Sequence, residues 1–112
     1  MPKQRDIVLI AVPYSDLSAT KQRPVLILSS DAHLRRSPDM LAVTITSNLN
    51  ASMIGVIFDT TEMEAGNLPR QSLIRADKVH NLRQASIIKT FGVLNKPTFA
   101  KVLAELDTVL GR

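Results

Sequence analysis

The chain has no cysteine, and its two histidines, His33 and His80, stand far apart with no ligand cluster beside them. Neither a disulfide framework nor a structural zinc site can be built from that inventory. Tryptophan is absent too, and the aromatic residues reduce to Tyr14, Phe58, Phe91 and Phe99. Long apolar runs are missing. The stretch Ile7 to Val12 is six residues long and Pro13 stops it, too short for a signal-peptide core or a membrane span, so a soluble cytoplasmic protein is the expectation. Basic residues are missing between Ser37 and Pro69, a segment that holds Asp39, Asp59, Glu62 and Glu64; all fourteen Lys and Arg lie in the flanks. Flanks that meet in the fold would make one basic surface suited to a polyanion. Scattered Lys and Arg that merely keep a small domain in solution account equally well for the net charge of +4.

What is present fits a single domain over residues 1–112, burying roughly two thirds of its unfolded surface by size scaling. Residues 7–12, 25–28, 41–46, 54–59, 72–79 and 86–90 are short β-type runs separated by Pro, Ser, Asn, Asp and Gly. Such spacing predicts a small, mainly β barrel, whose closure would dispose of sheet edges. The period then changes: Phe99, Val102, Leu103, Leu106, Val109 and Leu110 recur at helical spacing, with Asn95 or Lys96 as cap, Pro97 early and Gly111 at the end. One amphipathic C-terminal helix of about four turns follows. His33 falls in DAHLRRSPD and the acidic residues fall in DTTEMEAGNLPRQ, both of which read as loops.

Several side chains point to anion chemistry. Arg23 precedes the all-apolar run Val25, Leu26, Ile27, Leu28, and Pro24 restricts it to extended backbone. A permanent cation is thereby held stiffly beside the core. Period-two alternation puts Val43 and Ile45 on one face of a strand, Thr44 and Thr46 on the other. In the run 72–79 it sets Ile74 and Ala76 towards the core and leaves Arg75 and Asp77 side by side opposite. Two guanidiniums, hydroxyls and a carboxylate on rigid elements suit phosphate recognition. The plainer account of Arg75 and Asp77 is a same-face salt bridge worth little. The threonines are ordinary strand residues, and neither histidine has a diagnostic spacing.

The order of these pieces is familiar. DIVLIAVPYSDLSATKQRPVLILSSD, then LAVTITSN, SLIRADKVHNL and IIKTFGVL, resembles the MazF/PemK family of toxins from toxin–antitoxin pairs, from about Arg5 to Leu94. The resemblance departs at Arg5 and Ala19, where the family usually carries glycine. It implies an SH3-like barrel of five to seven strands with a C-terminal helix. It also implies a homodimeric, sequence-specific endoribonuclease that needs no metal or other cofactor and is neutralised by a cognate antitoxin.

Carried over residue by residue, the resemblance assigns catalysis to Arg23 of the RPV motif, Thr46 of the IT motif, and the pair Arg75 and Asp77. Cleaving RNA through its own 2′-hydroxyl needs a base, donors for the phosphorane oxygens and an acid for the departing 5′ oxygen. Arg23 suits the donor role, Thr46 a hydrogen bond to phosphate or 2′-hydroxyl, and Asp77 the base. Arg75 would favour the ionised carboxylate but also weaken it as a base. Ser18, Thr20, Lys21 and Gln22 of the first loop, with Thr44, Lys78 and His80, are the expected grip on single-stranded RNA, and Tyr14 the candidate stacking residue. Two other classes remain open: a CcdB-like toxin that poisons DNA gyrase without cutting RNA, and a basic barrel that binds nucleic acid and leaves it intact.

Overall fold

The computed structural model describes residues 1–13 and 20–112, with backbone alone for 12, 13 and 20. Seven strands are described: β1 (Asp6–Pro13), β2 (Thr20–Ile27), β3 (Asp39–Thr46), β4 (Val56–Phe58), β5 (Met63–Gly66), β6 (Ser72–Arg83) and β7 (Ile87–Leu94). Two helices join them, α1 (Asp31–Arg36) and α2 (Lys96–Leu110). The strands form one antiparallel sheet in the order β4-β6-β3-β2-β1-β7-β5, curled into a half-barrel with the helix behind it. This is the small barrel-like sheet with a C-terminal helix that the sequence predicts, and it keeps two edges. Its edges are β4 and β5, of three and four residues, and such short edges offer little template for pairing with another chain.

Alternation along the central strands builds two apolar clusters, one on each face. Ile7, Leu26, Val43, Ile45 and Ile74 pack with Phe58, Leu94 and the Phe99–Val102 face of α2. Val8, Ile10, Val25, Ile27, Met40 and Ala42 form the other, covered by Leu34 of α1 and by half-buried Leu82 and Ile87. α2 is fixed at both ends. Asn95 caps it by accepting the Thr98 N–H at 2.9 Å, and Gly111 closes it in the left-handed conformation.

Two segments read as loops are ordered elements. The DAHLRR stretch is α1, capped by Ser30, whose hydroxyl accepts the His33 N–H at 3.1 Å. The acidic stretch holds a short 3-10 turn at Thr60–Glu62 and then β5, which pairs with β7. Gly66 lies opposite Gly92 in that pair, and a Cβ on either would collide with the facing strand's carbonyl. Backbone freedom there is what lets β5 lie down.

Arg5 has φ +77°, the region glycine enters at no cost and other residues at about 1–2 kcal/mol. Its contacts offset that. Its N–H donates to the Ile27 carbonyl (3.1 Å), and its Nη1 donates to the Leu94 carbonyl (2.7 Å) and Glu64 Oε1 (3.0 Å). Departure from glycine here ties β1 to β5 and β7. Asp6, next in the chain, is buried and accepts the Lys3 N–H at 2.9 Å; desolvation pushes its carboxyl above the usual range. Ala19, the other departure, lies outside the described residues.

Candidate functional site

Two breaks in the hydrogen-bond ladder make the site. β2 pairs with β3 only at Val25–Thr44, Leu26–Val43 and Ile27–Ala42. The Leu28 N–H donates to the Leu41 carbonyl at 2.8 Å, so by alternation the even residues of β2 turn their backbone groups towards β3. Pro24 is the next even residue after Leu26 and has no N–H to give. The ladder to β3 ends at that point. β2 meanwhile continues against β1 through Ile10–Arg23 as far as Pro13–Thr20. A fork results, with Arg23 and Pro24 on one arm and Ile45, Thr46 and Ser47 on the other, around a cavity of about 260 Å³. Leu68, Pro69, Arg70, Ser72 and Phe91 complete its wall.

The second break is in β6. Val43 faces Val79 while Thr44 faces Arg75, so Ala76, Asp77 and Lys78 have no counterpart on β3. This wide bulge adjoins another cavity, of about 210 Å³. Ile10, Val25 and Leu82 give that cavity apolar walls, and Arg23, Thr44, Lys78 and His80 give it polar ones. On this face β2 runs Ile27, Val25, Arg23 and β3 runs Met40, Ala42, Thr44, Thr46. Both change from buried apolar to polar in the same direction. Arg23 lines both cavities, and among the described residues it is the one they share.

Arg75 and Asp77 line neither cavity. They close on each other: Arg75 Nη2 donates to Oδ2 at 2.8 Å and Nε to Oδ1 at 3.2 Å, while the Ser52 hydroxyl donates to Oδ2 at 3.2 Å. These two side chains are only 19% and 25% exposed. Hydrogen bonds from Arg75, aided by its charge, hold the Asp77 carboxyl below the usual carboxylate range, and the same bonds push the guanidinium up. A carboxylate so satisfied is a weak proton acceptor.

Of the other residues expected to meet RNA, Lys21 and Gln22 are exposed on β2, beyond Arg23. Tyr14 and Ser18 lie outside the described residues, and Thr20 is described by its backbone alone. Ser47, Arg70, Ser72 and Phe91 were not expected in a site. Phe91 is half-buried, packed against the apolar core, and stands at the wall of the fork, with Lys89 Nζ 4.8 Å from its ring centre. Arg70 had a signal, as the first basic residue after the acidic block. Among the described residues no group of three His, Asp or Glu side chains could hold a metal ion, and no helix is long and apolar enough to cross a membrane.

A half-barrel sheet with one C-terminal helix is the architecture of solved bacterial toxins. An endoribonuclease from a mycobacterial species, in complex with its cognate antitoxin, superposes with TM-score 0.81 at 22% identity, over 99% of this chain and 96% of that one. The MazE–MazF structure (Form III) from Deinococcus radiodurans gives 0.78 at 20%, over 98% and 96%. The Mycobacterium tuberculosis toxin MazF-mt6 gives 0.77 at 17%, over 96% and 97%. Among curated proteins, none matches the chain by sequence. The family is settled by its own model: residues 3–110 match that of the PemK-like, MazF-like toxins of type II toxin–antitoxin systems, and the chain belongs to that family.

Proposed function

We propose that this toxin is an endoribonuclease that cuts single-stranded RNA, cytoplasmic mRNA above all, by transesterification without a metal. The observation that carries the reading is the position of Arg23, its backbone restricted by Pro24, in the lining of two cavities. A phosphodiester seated at Arg23 leaves a nucleotide on either side of it. In the reaction the 2′ oxygen bonds to phosphorus and the bond from phosphorus to the 5′ oxygen breaks. The products are a 2′,3′-cyclic phosphate and a 5′-hydroxyl, whose oxygen takes a proton from water. Arg23 stabilises the charge that grows on the phosphorane oxygens, where preorganised donors contribute most. Thr46, on the other arm of the fork, hydrogen-bonds a phosphate oxygen.

The proton from the 2′-hydroxyl goes to His80. An imidazole nitrogen can accept a proton, and His80 lines the same cavity as Arg23, whereas the Asp77 carboxylate is already held by Arg75 and Ser52. Arg75 and Asp77 then shape the bulge that presents Lys78 and His80. A gyrase-binding barrel leaves the paired cavities without a task, and cleavage separates the enzyme from a barrel that merely binds RNA.

The toxin's partners follow the family: a cognate antitoxin, and a second copy of the chain. Exposed Leu41 and Val79, diagonal neighbours on β3 and β6, offer apolar area that a second copy would cover. Light scattering tests this, and a monomer would discard the dimer. The deciding experiment incubates a long single-stranded RNA with the purified protein in EDTA. Discrete cuts ending in cyclic phosphate are expected from the wild type, with a loss of about 10²–10³-fold in Arg23→Ala. Folded protein that leaves RNA intact overturns the reading.

A further inference from the structure

We infer that the cavity beside the β6 bulge is a base-reading subsite for the nucleotide on the 5′ side of the cut, and that Lys78 makes it prefer keto bases, uracil or guanine. This rests on the endoribonuclease reading and adds a direction and a specificity to it. The direction comes from His80. The attacking 2′-hydroxyl belongs to the nucleotide 5′ of the scissile phosphate, so if His80 accepts its proton, that nucleotide occupies the cavity His80 lines. The nucleotide 3′ of the cut then falls into the fork, whose wall is formed by Phe91, Arg70 and Ser72.

Size and lining fix what this subsite can hold. At about 210 Å³ it is smaller than the ~300 Å³ at which pockets for drug-sized ligands begin, a space for one flat ring system and little more. Ile10, Val25 and Leu82 present apolar surface to the faces of such a ring. The polar rim is rich in donors. Lys78 has three N–H bonds and no acceptor, and Arg23 is likewise a donor without acceptors. The keto oxygens at C4 of uracil and C6 of guanine accept from such groups, whereas cytosine and adenine carry an amine at those same positions and present N–H to N–H. Among the described lining residues no carboxylate stands ready to receive an amine, and the acceptor nitrogen of His80 is engaged by the 2′-hydroxyl. Thr44 accepts or donates and does not discriminate.

Lys78 is well placed to tune this without disturbing the fold. It is exposed, lies in the part of β6 that β3 does not pair with, and sits outside both apolar clusters. The test is cleavage of a randomised single-stranded RNA pool in EDTA, with sequencing of the new ends, for wild type, Lys78→Glu, Lys78→Gln and Arg23→Ala. The wild type should show a keto excess of about tenfold or more at the position immediately 5′ of the cut. Lys78→Glu should abolish or invert it towards adenine and cytosine, and Lys78→Gln, which both donates and accepts, should reduce it. Preferences at the other positions should stay as they were, the internal control against a general loss of binding. No keto excess in the wild type, an excess only on the 3′ side, or an excess unmoved in Lys78→Glu each overturns the inference while leaving the endoribonuclease standing. A wild type that makes no Arg23-dependent cuts removes the endoribonuclease itself, and the subsite with it.

Discussion

The two faces of the central sheet use the same strands to opposite ends. On the face that meets α2, the alternation is apolar and covered at Ile7, Leu26, Val43, Ile45 and Ile74, under Phe99 and Val102, and cover thins only towards exposed Leu41 and Val79. On the other, the apolar cluster is covered only part of the way, by α1 and the far ends of β6 and β7, and then gives out at Thr44. One face spends its side chains on stability, and the other, where cover fails, leaves Arg23, Lys78 and His80 lining cavities. A strand of eight residues such as β3 serves both purposes because its side chains alternate.

That contrast can be broken from either side. Phe58→Ala, on the covered face, should cost about 3–5 kcal/mol by urea denaturation and take activity down only by unfolding the protein. On the open face His80→Ala should leave the midpoint almost unmoved while lowering cleavage about 10²-fold or more. Asp77→Asn should lose less; if it loses more than His80→Ala in a folded protein, the base has been misassigned. Arg75→Ala sharpens the comparison in acid. Asp77's carboxyl is depressed in the folded state, so its stabilisation exists above its unfolded value of about 3.9 and disappears as pH falls through the folded value. The variant should therefore be less stable than wild type at neutral pH, with the gap closing in acid, as followed by urea midpoints across pH. The smallest effect is expected at Asp6. Its carboxyl is raised by burial, so it favours the fold when protonated and costs stability once the pH exceeds its folded value. Asp6→Asn should gain less than about 1 kcal/mol at neutral pH and nothing in acid, measured in the same way.

Alternation made much of this legible in advance. Val43 and Ile45 against Thr44 and Thr46, and the side-by-side Arg75 and Asp77, follow from period two alone, and α2 follows from its spacing and caps. α1 was not legible because a six-residue helix that buries only Leu34 leaves no periodicity. β5 was hidden because its pairing depends on Gly66 meeting Gly92, distant in sequence. The cavities were hidden for a related reason. Arg23 could be seen to be stiff, but the fork around it depends on where β3 stops pairing, and Lys78 and His80 join it through a bulge in a strand some fifty residues away.

Pro24 has a consequence of its own. The opening at Arg23 is kept by one missing backbone proton, a property of the covalent chain rather than of any side chain packed around it. Wedges made of bulky residues can be trimmed and latches made of ion pairs can be screened by salt, but neither route lets β3 zip past a residue with nothing to donate. The cleft is therefore held open at no cost in strain, and its walls can be substituted while the gap itself stays where it is.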